Sequence, residues 1–183
     1  MIQNLSHFAG QPAFDERARS VITAQDFDEA GAEIAQWDGY SATPLYALTE
    51  LAADIDIAGI DYKHEGPRFG LGSFKALGGA NAAQKLLSRE LRRTAGVDVS
   101  LADVRKGAWA RQIAGITLVS ATDVNHGRSL AWGCQRFGAP CRIYIHADVS
   151  EGRERAIRDL GAEVIRISGD YDDSVLRCRQ DAE

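Results

Sequence analysis

The sequence predicts an α/β fold, a parallel sheet with helical crossovers, on three observations. From Ile116 onward, short apolar runs alternate with amphipathic stretches: strand Ile116–Ala121, helix Gly127–Phe137, strand Cys141–Ile145, helix Glu151–Leu160, strand Glu163–Ile167, then helix from Asp172. Such alternation implies parallel strands joined by right-handed helical crossovers. Gly138 and Gly161 fall where helix C-caps belong, each followed by alanine and a β-branched run. The composition, 45% hydrophobic and 26% charged with 18 glycines against 4 prolines, suits a globular core and fits neither a disordered tail nor collagen.

The elements before this rhythm are read from helix punctuation. Thr23-Ala24-Gln25-Asp26 resembles a capping box ahead of Phe27, Ala30, Ile34 and Trp37 at helical spacing, so one helix is expected over about 24–37. Thr43-Pro44-Leu45 places a capping hydroxyl and an N1 proline before Leu48, Leu51, Ala52 and Ile55, the signal of a second amphipathic helix. Gly59 is expected to close it before a short strand at Ile60–Lys63. Gly66 to Gly72 reads as irregular. After Ser73, the spacing of Leu77, Ala80, Ala83, Leu87 and Leu91 predicts a long helix to about Arg93. Residues 94–115 read as a connector and internal hinge with one helix, capped by Ser100 and facing inward through Leu101, Val104 and Trp109. The last helix runs into Gln180-Asp181-Ala182-Glu183 with no stop signal, and the chain is expected to end inside an element.

Charge narrows the partners. The net charge is −5, with a pI near 5.4, so no global positive field is available to collect phosphate backbones or anionic membrane. No nucleic acid and no membrane partner is expected. Residues 1–60 hold two basic residues against ten acids, whereas 61–183 hold nineteen against sixteen, which makes the second stretch the place for an anionic ligand. Cys134, Cys141 and Cys178 show no CxxC spacing and are odd in number, which argues against a zinc ribbon or a disulfide framework and reads as reduced thiols in a cytoplasmic protein. With neither a signal-peptide pattern in residues 1–25 nor a run of 18 apolar residues, export and membrane spanning are not expected.

Two segments carry candidate chemistry. In Arg68-Phe69-Gly70-Leu71-Gly72-Ser73-Phe74-Lys75-Ala76-Leu77-Gly78-Gly79 the glycines fit neither a P-loop nor a dinucleotide fingerprint. What remains is Lys75 in the first turn of a helix capped by Ser73, where the positive end of the macrodipole disfavours an ammonium and favours the neutral, nucleophilic amine. A neutral amine is what a Schiff base with a carbonyl cofactor requires. A solvated surface lysine at a helix start is the other reading of Lys75. The second segment, Ser120 to Arg128, is a strand-to-helix turn dense in hydrogen-bonding side chains, placed where open parallel sheets bind ligands and where free amides attract carboxylate or phosphate. Its other reading is a helix cap at Asp123 or Asn125 with His126 as polar filler.

Together with Thr43-Pro44-Leu45, Leu160-Gly161-Ala162-Glu163-Val164 and Tyr171-Asp172-Asp173, these segments resemble the N-terminal half of diaminopropionate ammonia-lyase, a family of the fold type II, tryptophan synthase β-like pyridoxal phosphate enzymes. The similarity runs from about Tyr40 to Ala182. It implies a partial fold type II enzyme with residues 1–87 as the N-terminal part of the large domain and 88–183 as the small α/β domain. It makes Lys75 the Schiff-base lysine, sets Asn125 beside the ring hydroxyl of the cofactor, and gives the substrate carboxylate to Thr122, Asn125 and His126. Asp123 matches an acidic residue that takes a proton from the D-isomer, Lys75 serving the L-isomer. The implied cofactor is pyridoxal phosphate, the implied reaction α,β-elimination of 2,3-diaminopropionate to pyruvate and ammonia, and the implied assembly a homodimer. A threonine dehydratase-like lyase is the alternative within the fold, and a non-catalytic product able only to associate is the alternative outside it. Val124 stands where the family pattern has glycine, and the glycine loop for the cofactor phosphate belongs to the family's C-terminal half. The 183-residue chain is therefore expected to be incompetent alone, with the apolar face of the Lys75 helix partly uncovered.

Overall fold

The computed structural model of the chain describes residues 20–122 and 124–182. Helix α1 (Ala24–Ile34) begins at the capping box read from the sequence: Thr23 Oγ1 accepts from the Asp26 amide, and the Asp26 carboxylate accepts from the Thr23 amide at 2.8 Å. Its C-terminal end delivers Trp37, 2% exposed, to the core.

The Thr43-Pro44 helix start is corrected by the structure. Residues Leu45–Ala47 form strand β1, antiparallel to β2 (Asp61–Lys63), and only Thr49–Asp54 is helical (α2). The Thr43 hydroxyl caps nothing; it donates to Glu65 Oε1 at 2.5 Å and accepts from Arg68 Nη2 at 2.9 Å. Arg68, almost fully buried, also binds Glu65 through Nε at 2.7 Å and the Ser41 carbonyl through Nη1 at 3.1 Å. These bonds tie the ribbon to the loop before Lys75. The Arg68 bond, followed by that of Thr43, overcomes desolvation and holds the Glu65 carboxyl down from its ordinary 4.5 to about 2. A depressed carboxylate stabilises the fold above its unfolded pKa and ceases to as pH falls through the folded one. The thermal midpoint is expected to drop between pH 4.5 and about 2. In Glu65→Gln that part of the pH dependence is expected to disappear, and an unchanged acid profile would show that the pair contributes nothing.

Helix α3 (Lys75–Ala95) is long and ends on Gly96 at φ +68°. After it, α4 (Leu101–Arg105) is capped by Ser100, whose hydroxyl accepts from the Asp103 amide, and a further short helix, α5 (Ala110–Ile113), follows. This connector is anchored: Val99, Val104 and Ile113 are at most 1% exposed, and Ser88 donates to the Val99 carbonyl at 2.7 Å.

The sheet follows the expected rhythm. Strands β3 (Leu118–Ala121), β4 (Cys141–Ile145) and β5 (Glu163–Arg166) lie parallel in the order β3-β4-β5, with α6 (Asn125–Phe137), α7 (Glu151–Arg158) and α8 (Tyr171–Ala182) between and after them. Adjacent residues Ile143 and Tyr144 of central β4 are both fully buried, so both faces of the sheet are covered. Ile143 lies against α6 near Gly127, and Tyr144 reaches α8 through a 2.6 Å bond from its hydroxyl to Asp181.

The apolar face expected to be partly uncovered on the Lys75 helix is covered over most of its length. Leu77 is half-buried, while Ala80, Ala83, Leu87 and Leu91 are at most 1% exposed, with α6 packed against Ala80 and Ala83. Small residues permit it: a Cβ on Gly133 would stand 2.6 Å from the Ala80 Cα, and one on Gly79 2.9 Å from the Leu130 amide nitrogen. Exposed apolar side chains include Phe74 and Leu86 at the start and on the outer side of α3, and Leu45, Tyr46, Leu51, Ile55 and Tyr62 gathered on the β1–β2 ribbon and α2. The three cysteines are free thiols, and among the described residues no helix is long and apolar enough to cross a membrane.

Candidate active site

The loop before Lys75 turns sharply. Gly70 and Gly72 take φ of +71° and +69°, conformations cheap only for glycine, and Phe69 takes φ +48°. Phe69 tolerates this because its ring is clamped 4.7 Å from that of Trp132 and 6.0 Å from that of Trp37. The Ser73 hydroxyl then accepts from the Lys75 amide at 3.2 Å, and α3 starts on Lys75 itself. Lys75 is thereby held, half-buried, at the head of a 21-residue helix.

The second part of the site follows β3. Thr122, 3% exposed, spends its amide on the sheet, donating to the Tyr144 carbonyl at 3.1 Å. Its hydroxyl accepts from the amides of Val124 at 3.1 Å and Gly127 at 3.2 Å, which shapes the turn into α6. Gly127 is required there, since a Cβ would run into the Thr122 methyl and stand 3.2 Å from Ile143. Asn125 and His126 occupy the exposed first turn of α6, where amides have no intrahelical acceptor.

These parts converge. Lys75, Thr122, Asn125 and His126 line one cavity of about 670 Å³, a size suited to a cofactor-scale ligand. Asp123 lies outside the described residues. Arg153 and Tyr171 line the same cavity; neither was given a site role from the sequence, Tyr171 having entered only as part of the resembling Tyr171-Asp172-Asp173 segment. They are legible in the topology: each opens, or nearly opens, the helix following a strand of the parallel sheet, where such sheets gather ligand-binding groups. Among the described lining residues Lys75 and Arg153 are basic and none is acidic, so the cavity favours an anion.

Val124 enters α6 at φ +155° and ψ −58° while 8% exposed in the core. A β-branched residue held in so sparsely populated a region costs on the order of 1–3 kcal/mol. Val124→Gly removes strain and apolar contact together, whereas Val124→Ala removes the contact and keeps the strain. In urea unfolding the glycine variant is expected to exceed the alanine variant by about 1–3 kcal/mol; equal midpoints would show that the backbone is unstrained.

Comparison with known proteins places this arrangement. The family described as pyridoxal-phosphate dependent enzyme matches residues 36–183. The diaminopropionate ammonia-lyase of Escherichia coli is 37% identical over 145 residues, 79% of this chain and 35% of that protein. Its counterpart from Salmonella typhimurium is 35% identical over 136 residues, 74% of this chain and 33% of that protein. The crystal structure of the Escherichia coli enzyme in apo form matches with a TM-score of 0.71 at 33% identity, covering 85% of this chain and 41% of that one. The chain thus spans about a third of the length of the curated relatives it matches. With the family pattern running through the Lys75 loop, the Asn125 turn and all three parallel strands, the chain belongs to the pyridoxal-phosphate dependent enzymes.

Proposed function

We propose that the chain carries the lysine and carboxylate-binding part of a diaminopropionate ammonia-lyase site, which converts 2,3-diaminopropionate and water to pyruvate and two ammonia. The observation that carries this is the convergence of Lys75 with Thr122, Asn125 and His126 on one cavity. The residues fit pyridoxal phosphate: an amine able to condense with its aldehyde, a turn with free helix amides, and lining charge that suits an anion. When bound, the cofactor supplies an electron sink that makes the Cα proton of the amino acid acidic. The chain's residues do the rest. Lys75 Nζ anchors the cofactor and takes the Cα proton of the L-isomer; Asp123 takes that of the D-isomer. The side chain of Asn125 adjoins the cofactor ring hydroxyl. The Asn125 and His126 amides and the Thr122 hydroxyl proton orient the substrate carboxylate, the Thr122 amide being committed to β4. Free thiols at all three cysteines support a cytoplasmic setting, and the exposed apolar ribbon supports a homodimer. The matched length, about a third of that of the relatives, supports incompetence of the isolated chain.

A spectroscopic titration tests the substrate. The absorbance of the chain with pyridoxal phosphate is expected to shift on adding D- or L-2,3-diaminopropionate at concentrations where threonine has no effect. A response to threonine alone would favour the dehydratase-like reading.

A further inference from the structure

We propose that Arg128 and Ser129 are positioning residues that hold Lys75 in register with the Asn125–His126 turn, an inference that rests on the reading of Lys75 as the cofactor lysine. Both sit early in α6, directly behind the turn, and both reach across to carbonyls on either side of Lys75. Arg128 Nη1 donates to the Leu71 carbonyl at 3.3 Å, and Ser129 Oγ donates to the Ala76 carbonyl at 2.9 Å. Leu71 lies four residues before the lysine and Ala76 one after it, so the pair brackets the site of attachment.

Leu71 sits between Gly70 and Gly72, both at positive φ, in a stretch whose backbone has few steric restraints of its own. A donor on its carbonyl fixes the orientation of that peptide. Ser129 is 1% exposed, and Gly79 approaches it so closely that a Cβ there would collide with the hydroxyl, which leaves Ser129 little room to turn away. The α3–α6 joint is already closely packed at Ala80, Ala83 and Gly133, so the Arg128 bond adds a link from α6 to the loop before Lys75 that the joint does not itself supply. Reaching Leu71 from the helix that carries Asn125 couples the lysine loop to the turn, and reactivity is steep in the placement of the reacting groups.

The chain has four lysines, Lys63, Lys75, Lys85 and Lys106, so the test is read residue by residue. The chain is incubated with pyridoxal phosphate, reduced with borohydride and peptide-mapped. In the wild type Lys75 is expected to carry most of the label. In Arg128→Met the Lys75 label relative to Lys85 is expected to fall about tenfold, and in Ser129→Ala about threefold, while the labels on Lys63 and Lys106 relative to Lys85 stay constant. Arg128→Lys, which keeps a donor on a long stem, is expected to restore part of the loss. Should Arg128→Met fail to fold, Ser129→Ala, which keeps the Cβ and hence the packing, decides alone. A Lys75 share unchanged in the folded variants overturns the positioning role and leaves the lysine assignment intact. No preference for Lys75 in the wild type overturns the lysine assignment, and the positioning role with it.

Discussion

Lys75→Ala is expected to abolish borohydride-trappable incorporation of pyridoxal phosphate at the cavity, leaving only weak label spread over the three remaining lysines. Lys75 is the lysine that lines the cavity. Lys63 is committed to the Thr43 carbonyl on the ribbon, and Lys85 lies ten residues further along α3, on its exposed side. Lys75→Arg separates charge from chemistry: it preserves a cation in the site, yet a guanidinium that stays protonated has no free amine to condense with an aldehyde. Both variants are therefore expected to lose covalent incorporation equally. Persistence of label in Lys75→Ala, concentrated on Lys63 or Lys85, would remove the assignment and with it the proposed chemistry.

The largest effect on stability is expected at Gln84, whose amide is completely buried. Its Oε1 accepts from the Trp37 indole at 3.2 Å; its Nε2 donates to Glu33 Oε1 at 2.6 Å and to the Leu101 carbonyl at 2.8 Å. Glu33 in turn pairs with Arg105 at 2.7 Å. One side chain thus joins α1, α3 and α4. Gln84→Leu keeps much of the volume, but it takes the hydrogen-bond partner from the buried Trp37 indole N–H and one partner each from the Leu101 carbonyl and from Glu33, which keeps Arg105; a buried group left unpaired costs about 1–3 kcal/mol. A net loss of about 1–3 kcal/mol is expected in urea unfolding, with a shift in Trp37 fluorescence as its indole N–H loses its acceptor. A variant as stable as the wild type would show that the three elements are held by apolar packing alone.

Much of the fold was legible because it rests on local periodicity. The strand Cys141–Ile145 is observed with the bounds that were expected, and α6 starts two residues earlier than its pattern suggested. Capping chemistry is equally local, so the Thr23 box and the Ser100 and Gly138 caps were recoverable. Thr43-Pro44 shows where this ends. Its hydroxyl satisfies Glu65 and Arg68, 22 and 25 residues away, and no window on the sequence contains that bond. The closeness of α6 to α3 escaped for a related reason: it depends on the absence of side chains at Gly79 and Gly133, and hydrophobic spacing is blind to an absence. For the site, motif and resemblance brought Lys75, Thr122, Asn125 and His126 to the cavity where they are found together. Arg153 carried no motif and Tyr171 was read only as part of the resembling Tyr171-Asp172-Asp173 segment, with no site role; the strand order places both there.

The close crossing of α3 and α6 has a bearing on motion. Helices in contact at Gly133 and Ala80 have no compliant side-chain layer between them, and interiors packed in this way transmit displacement instead of absorbing it. Lys75 and the Asn125 turn, which head these two helices, consequently travel as one rigid body. Amide hydrogens along the crossing should exchange only when the whole domain unfolds, while those of the solvent-facing β1–β2 ribbon exchange through local opening. Any closure over a ligand must then be delivered by segments outside this pair, and lysine and turn would meet the arriving ligand already aligned.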